Sequence, residues 1–166
     1  MTGVQTCALP IWFKIQHTPG KVIFNDYEEQ PQWYYNKDIK DPYFWNRYYN
    51  YLLKNSNIDD KSIKILDAKT LPQIMNCIGN QKDSFEGKRL KRGLIIGDVQ
   101  SGKTATYTGL ICKAADAGYK VVILLAGITE SLRQQTQERI DEGIIGYTYK
   151  KFGKQIKKGS GAEVRG

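Results

Sequence analysis

Three observations predict an α/β fold for residues 86–152. A short apolar run, Leu94-Ile95-Ile96, is bounded by glycines and leads through a glycine-bearing loop into a helical pattern from Thr104. A second run at residues 120–126 (KVVILLA) is β-branched and leucine-rich throughout, and a second helical pattern follows it. Uninterrupted runs of this kind mark strands covered on both faces of a parallel sheet, and strand, loop, helix repeated twice is the grammar of βαβ units.

The 166 residues are 40% hydrophobic and 25% charged, a balance that excludes wholesale disorder. The longest apolar stretch, residues 121–126, falls far short of the roughly 20 residues of a spanning helix. No membrane role is expected. Cys7, Cys77 and Cys112 have no metal-ligand spacing and read as reduced thiols of the cytoplasm, and His17 has no cluster of ligands around it.

Residues 1–11 (MTGVQTCALPI) carry no charge and lack the basic region and apolar run of a signal peptide. The string resembles a conceptual translation of a sequencing-library adapter, so it is expected not to belong to the native protein. Residues 12–85 are expected to form a mainly helical, aromatic-rich region. Thirteen of the nineteen aromatic residues lie between positions 12 and 53. Pro42, after Asp41, suits a first helical turn, and Phe44, Tyr48 and Tyr51 or Leu52 then recur at helical spacing. Aromatics among lysines and arginines can stack on bases, but a stripe at this spacing reads first as a packing face. Residues 62–79 read as a short strand or helical turn followed by a helix from Pro72 to Gly79. Ile63-Lys64-Ile65-Leu66-Asp67 has the outline of an acidic, metal-binding strand, but Lys64 interrupts it. Residues 80–91 form a polar connection.

In the α/β region, Leu94-Ile95-Ile96 is the first expected strand and residues 104–117 the first helix. Tyr107, Leu110-Ile111 and Ala114-Ala115 lie on one side of that helix, and Gly118 ends it. Residues 131–142 give the second helix. Residues 153–166 (GKQIKKGSGAEVRG) show neither periodicity and read as a basic loop at which the domain is cut short.

Between the first strand and helix stands Gly97-Asp98-Val99-Gln100-Ser101-Gly102-Lys103-Thr104, a full match to G-x-x-x-x-G-K-[ST]. The glycines let the chain turn tightly around phosphates, and the loop N–H groups converge on their oxygens. Lys103 supplies a mobile point charge to the β- and γ-phosphates. Thr104 supplies a hydroxyl to Mg²⁺ at a helix N-terminus, whose dipole favours anions. The motif predicts ATP and Mg²⁺ as cofactors, with Lys103 the catalytic residue, and an incomplete P-loop NTPase core of the RecA-like, parallel-sheet kind.

The net charge of +8 suggests an anionic partner. Its excess is concentrated in residues 86–92, at +3, and residues 147–166, at +5, while residues 93–146 are close to neutral. Either segment reads as solvated surface or as a DNA-facing patch. After the second strand, Leu125-Ala126, Thr129, Leu132 and Gln135 follow the L-A-P-T-x-x-L-x-x-Q pattern of superfamily-two helicases, with Gly127-Ile128 in place of the proline. That motif holds a nucleic-acid backbone, which makes Thr129, Arg133 and Gln135 the candidate contacts to DNA.

Residues 93–146 as a whole resemble the N-terminal part of bacterial proteins that carry the Z-one domain (letter Z, numeral one) and are described as endonucleases. In that family a superfamily-two helicase-like ATPase precedes the Z-one domain, and the genes neighbour restriction and phage-defence systems. The resemblance implies ATP-driven action on DNA by a longer protein. It covers about a third of this chain, and neither the later acidic motif, the second lobe nor the Z-one domain follows Asp141. The 166 residues alone are therefore expected to bind nucleotide without hydrolysing it. A small-molecule kinase or nucleotide switch, and a non-enzymatic scaffold, are the alternatives.

Overall fold

The computed structural model describes residues 32–34, 39, 41–81, 91, 93–96, 102–145, 147–148 and 157–158. Helix dominates them. Helix α1 spans Tyr43–Asn55, α2 Asp60–Ile65, α3 Leu71–Cys77, α4 Lys103–Asp116 and α5 Glu130–Ile140. Two π-helical segments, Leu66–Thr70 and Asp141–Ile145, join α2 to α3 and extend α5.

Helix α1 begins at Pro42, which has no hydroxyl or carboxylate to cap the first turn. Asp116, at the far end of α4, does that work. Its Oδ1 accepts from the Phe44 amide at 3.0 Å and its Oδ2 from the Trp45 amide at 2.9 Å. A carboxylate on the positive end of a helix dipole satisfies two donors that no backbone carbonyl can reach. The same contact ties α1 to α4. Helix α2 is capped locally instead, by Asp59 Oδ1 accepting from the Ser62 amide at 2.9 Å.

The chain from Asp60 to Cys77 is helical throughout, so the helical-turn reading of its first part holds and the strand reading does not. Pro72 sits in the first turn of α3 and has no N–H to give to the preceding turn. The widened turn lies immediately before it, with the Leu71 amide bonded to the Leu66 carbonyl five residues back. Widening relieves the clash of a proline ring with the carbonyl four residues earlier.

The core is the meeting of α1, α2, α3 and α4. Trp45, Tyr48 and Leu52 of α1 pack with Ile63, Leu66 and Leu71 against Ala105 and Cys112 of α4. Small residues on α4 admit the large aromatics of α1, and Gly109 marks the closest approach. A Cβ there would stand 2.9 Å from both Leu71 Cδ1 and Trp45 Cζ3. A smaller cluster of Met75, Ala114 and Ala117 is covered by Trp33, Tyr34, Ile39 and Tyr119. Trp33 Nε1 donates to the Ile78 carbonyl at 2.8 Å and the Tyr34 amide to Asn76 Oδ1 at 2.9 Å.

The parallel-sheet, RecA-like α/β architecture expected for residues 86–152 is not what the described residues form. Leu94, Ile95 and Ile96 are 84%, 52% and 87% exposed, and Val121 to Leu125 range from 42% to 89%. Neither segment has a regular backbone ladder. Among the described residues the paired strands are β1 (Tyr147–Thr148) and β2 (Lys157–Lys158), two residues each and antiparallel, with Tyr147 opposite Lys158. The physical reason for the difference is that apolar, β-branched composition favours a buried strand only when a partner supplies hydrogen bonds and cover. Here α1 to α4 bury one another, and α5 has no buried residue.

The buried face of α4 differs in part from the one expected. Ala105, Thr108, Gly109 and Cys112 are buried, and of the expected residues Ala114 is buried while Tyr107, Leu110, Ile111 and Ala115 are half-buried. The larger side chains do not face the principal partner because α1 brings its own bulk, and two bulky faces cannot approach this closely. Among the described residues no helix is long and apolar enough to cross a membrane.

Candidate functional site

The last three residues of the phosphate-loop motif open α4. Gly102 precedes the first turn with φ +76°, in the left-handed region that costs a residue with Cβ roughly 1–2 kcal/mol. A Cβ at Gly102 would meet no atom within 4 Å, so the demand for glycine is conformational. The Gly102 carbonyl starts the helical ladder by accepting from the Thr106 amide at 3.0 Å, and the Thr106 hydroxyl donates to it at 3.2 Å. With no side chain, Gly102 places no capping oxygen on the amides of the first turn.

Lys103 is exposed and Thr104 half-buried at this helix start. Gly97, Asp98, Val99, Gln100 and Ser101 lie outside the described residues. The Thr104 hydroxyl accepts from Arg139 Nη1 at 2.7 Å. Arg139 belongs to the last turn of α5, and the segment after α5 also packs on α1 and α4. Gly143 lies against α1 and α4 so closely that a Cβ would stand 3.0 Å from Thr108 Cγ2 and 3.1 Å from Tyr48 Cε2. Thr108 is one turn beyond Thr104 and Gly143 one turn beyond Arg139, so the two contacts lie one turn apart along both segments. No local sequence pattern signals this contact, because the two residues are 35 positions apart.

The candidate DNA contacts are arranged differently. Thr129 caps α5, its hydroxyl accepting from the Leu132 amide at 3.4 Å. Arg133 is held by Glu130 one turn earlier, Nε donating to Oε2 at 2.9 Å. That hydrogen bond and the guanidinium charge hold the Glu130 carboxyl below the usual carboxylate range. Arg133 lines a groove of about 420 Å³ together with Thr136, Gln137 and residues 124–127. Gln135 is exposed but two positions from Arg133, which places it on another side of the helix. Thr129 and Arg133 therefore share a face that Gln135 does not.

Searches against family models, curated proteins and solved structures return no match.

The Cys112 thiol and the Tyr34 and Tyr48 hydroxyls are held neutral. Burial, reinforced by the Asp116 carboxylate, pushes the Cys112 thiol up to about 12. Burial, with Asp116 and Asp67 nearby, also pushes the Tyr34 hydroxyl up to about 12, and Tyr48 is raised by burial as well. Cys112 has the environment of a packing residue and not of a nucleophile. One charge is buried with a partner. Lys113, 8% exposed at its side chain, donates from Nζ to Asp67 Oδ1 at 2.8 Å and lies over the Trp45 ring at 4.7 Å.

Proposed function

We propose that this chain binds the phosphates of ATP through residues 97–104, in the service of an enzyme that acts on DNA. The observation that carries the reading is the complete G-x-x-x-x-G-K-[ST] match, whose closing Gly102-Lys103-Thr104 stands at the start of a fourteen-residue helix with Gly102 left-handed. The donor chemistry there suits a polyphosphate. Lys103 carries an ammonium, and Gly102 brings no side-chain oxygen to the first-turn amides. Thr104 is the residue that would give its hydroxyl to Mg²⁺, the ion that neutralises β- and γ-phosphate charge when bound. The DNA part of the proposal draws on the resemblance of residues 93–146 and on the basic segments that flank them, with Arg133 the contact residue of α5.

The test is equilibrium binding of a fluorescent ATP analogue to the 166-residue chain. Lys103→Ala should weaken binding roughly 10- to 100-fold, the equivalent of a charge-assisted hydrogen bond of about 1.5–3 kcal/mol. Because Lys103 is exposed, the circular dichroism spectrum should not change. Equal affinity of the two proteins would sink the assignment.

A further inference from the structure

Residues 121–125 (VVILL) are uncharged and contain no proline or glycine, and the fold leaves them open. Exposure alternates along them, with Val121, Ile123 and Leu125 at 74%, 79% and 89% and Val122 and Leu124 at 47% and 42%. A period of two is the mark of extended backbone, whose successive side chains point to opposite faces. Among the described residues no backbone hydrogen bond reaches this run. Five apolar side chains, three of them β-branched, therefore stand beside a row of unpaired amides and carbonyls, which is a template for another strand. The apolar patch continues past Gly127, where a Cβ would stand 3.0 Å from Leu132 Cδ1, and takes in Ile128, fully exposed, and Leu132, half open.

We propose that the strand which covers this run is the same run of a second copy of the chain, added antiparallel about a two-fold axis at Ile123. The sequence favours that register. Centred on Ile123, Val121 lies opposite Leu125 and Val122 opposite Leu124, so each apolar position meets an apolar partner, and Lys120 falls opposite Ala126 at the rim. Parallel pairing in register would set Lys120 directly against Lys120, a contact between like charges. Size sets the strength. At roughly 60–120 Å² of apolar surface per Val, Leu or Ile side chain, the patch from Val121 to Leu132 opens about 300–600 Å² in each copy. Two copies bring together about 600–1,200 Å², the size of a weak, reversible interface and not of a permanent one.

The experiment is sedimentation equilibrium of the whole 166-residue chain from roughly 10 µM to 1 mM, the range that resolves a weak dimer. The unsubstituted chain should pass from monomer to dimer. Ile123→Lys, which sets two like charges opposite each other at the axis, should weaken dimerisation at least about tenfold. Ile145→Lys, at an exposed apolar residue on another segment, should stay within about threefold of the parent. Circular dichroism checks that each variant keeps its helices. Register is read separately by oxidation with diamide in a Cys7→Ser, Cys77→Ser background. Residues directly opposite in an antiparallel pair have Cα atoms about 4.5–5.5 Å apart, within reach of a disulfide, so Ile123→Cys should cross-link to a dimer. Two copies of residue 121 would be roughly 14 Å apart along the same ladder, so Val121→Cys should not. A chain that stays monomeric throughout the range would overturn the proposal, as would a dimer indifferent to Ile123→Lys. Equal cross-linking at positions 121 and 123, or open-ended growth in place of a dimer, would refute the two-fold pairing.

Discussion

Removing either partner of the Lys113–Asp67 pair should destabilise the fold, but by unequal amounts, and the inequality follows from burial. The Lys113 side chain is 8% exposed and that of Asp67 39%. In Asp67→Ala the ammonium keeps its buried position and loses its carboxylate. Stranding a fully buried charge costs about 3–5 kcal/mol. Here the Trp45 ring at 4.7 Å and the Tyr34 ring at 5.6 Å remain beneath the cation, each contributing roughly 0.5–1 kcal/mol or more in a desolvated setting. The net cost is then about 2–3 kcal/mol. In Lys113→Met the apolar stem is kept, and the carboxylate left behind is exposed enough to be hydrated, which limits the cost to about 1 kcal/mol. For a chain of this length the two variants should melt roughly 5–10 °C and 2–4 °C below the parent. Urea unfolding followed by circular dichroism gives the free energies, and the double variant completes a cycle for the pair. If Lys113→Met proves as costly as Asp67→Ala, the ammonium is not the partner that depends on the pair, and the reasoning from burial fails.

Two further tests probe the α1–α4 contact. Gly109→Ala places a methyl group 2.9 Å from buried atoms of two separate helices. The over-packing cost of about 1–3 kcal/mol should outweigh the roughly 0.5–1 kcal/mol gained in helix propensity, so thermal unfolding should come a few degrees earlier. A variant as stable as the parent would mean that the helices are not this close. The raised Cys112 thiol makes a pH prediction. Its pKa is higher in the folded state than the ordinary 9, so the unfolded chain releases this proton first and stability falls as pH rises from 9 toward about 12, by at most about 1.4 kcal/mol per pH unit. Urea midpoints measured across that range for the parent and for Cys112→Ala should diverge, with the parent the more pH-sensitive. Parallel curves would remove Cys112 from the account.

Much of the helical structure was legible from local pattern. Pro42 and the spacing of Phe44, Tyr48 and Tyr51 or Leu52 announce α1, although Phe44 is exposed and Trp45 takes its place in the core, and Gly118 announces the end of α4. Proline geometry and glycine termination act within one or two turns, and so they can be read from a short window. The start of α4 beside Gly102 was legible for the same reason, while residues 97–101 of the motif lie outside the described residues. The orientation of α4 was not. Reading its largest side chains as the buried face assumes a flat partner, whereas the actual partner is an aromatic helix that selects for Ala105, Gly109 and Cys112. The apolar runs at 94–96 and 121–125 misled in a related way, because their composition states a preference for cover and does not say whether cover is supplied.

Contacts that join distant parts of the chain escaped the sequence altogether, and they share one device. Asp116 caps α1 from the end of α4, Asp67 neutralises Lys113 from the turn before α3, and Arg139 reaches Thr104 from the end of α5. In each case a charged side chain near a helix end or a widened turn meets a polar group that its own segment cannot satisfy. Such groups are costly when stranded and inexpensive when paired, so they add directionality to a core whose apolar contacts have little. Apolar packing brings α1, α3 and α4 together, while these polar contacts choose among the registers that packing would tolerate. On that view the Arg139–Thr104 bond is a product of the same core. It lies one turn from the close approach of Gly143 to Tyr48 and Thr108, so the start of α4 and the end of α5 meet at two neighbouring contacts.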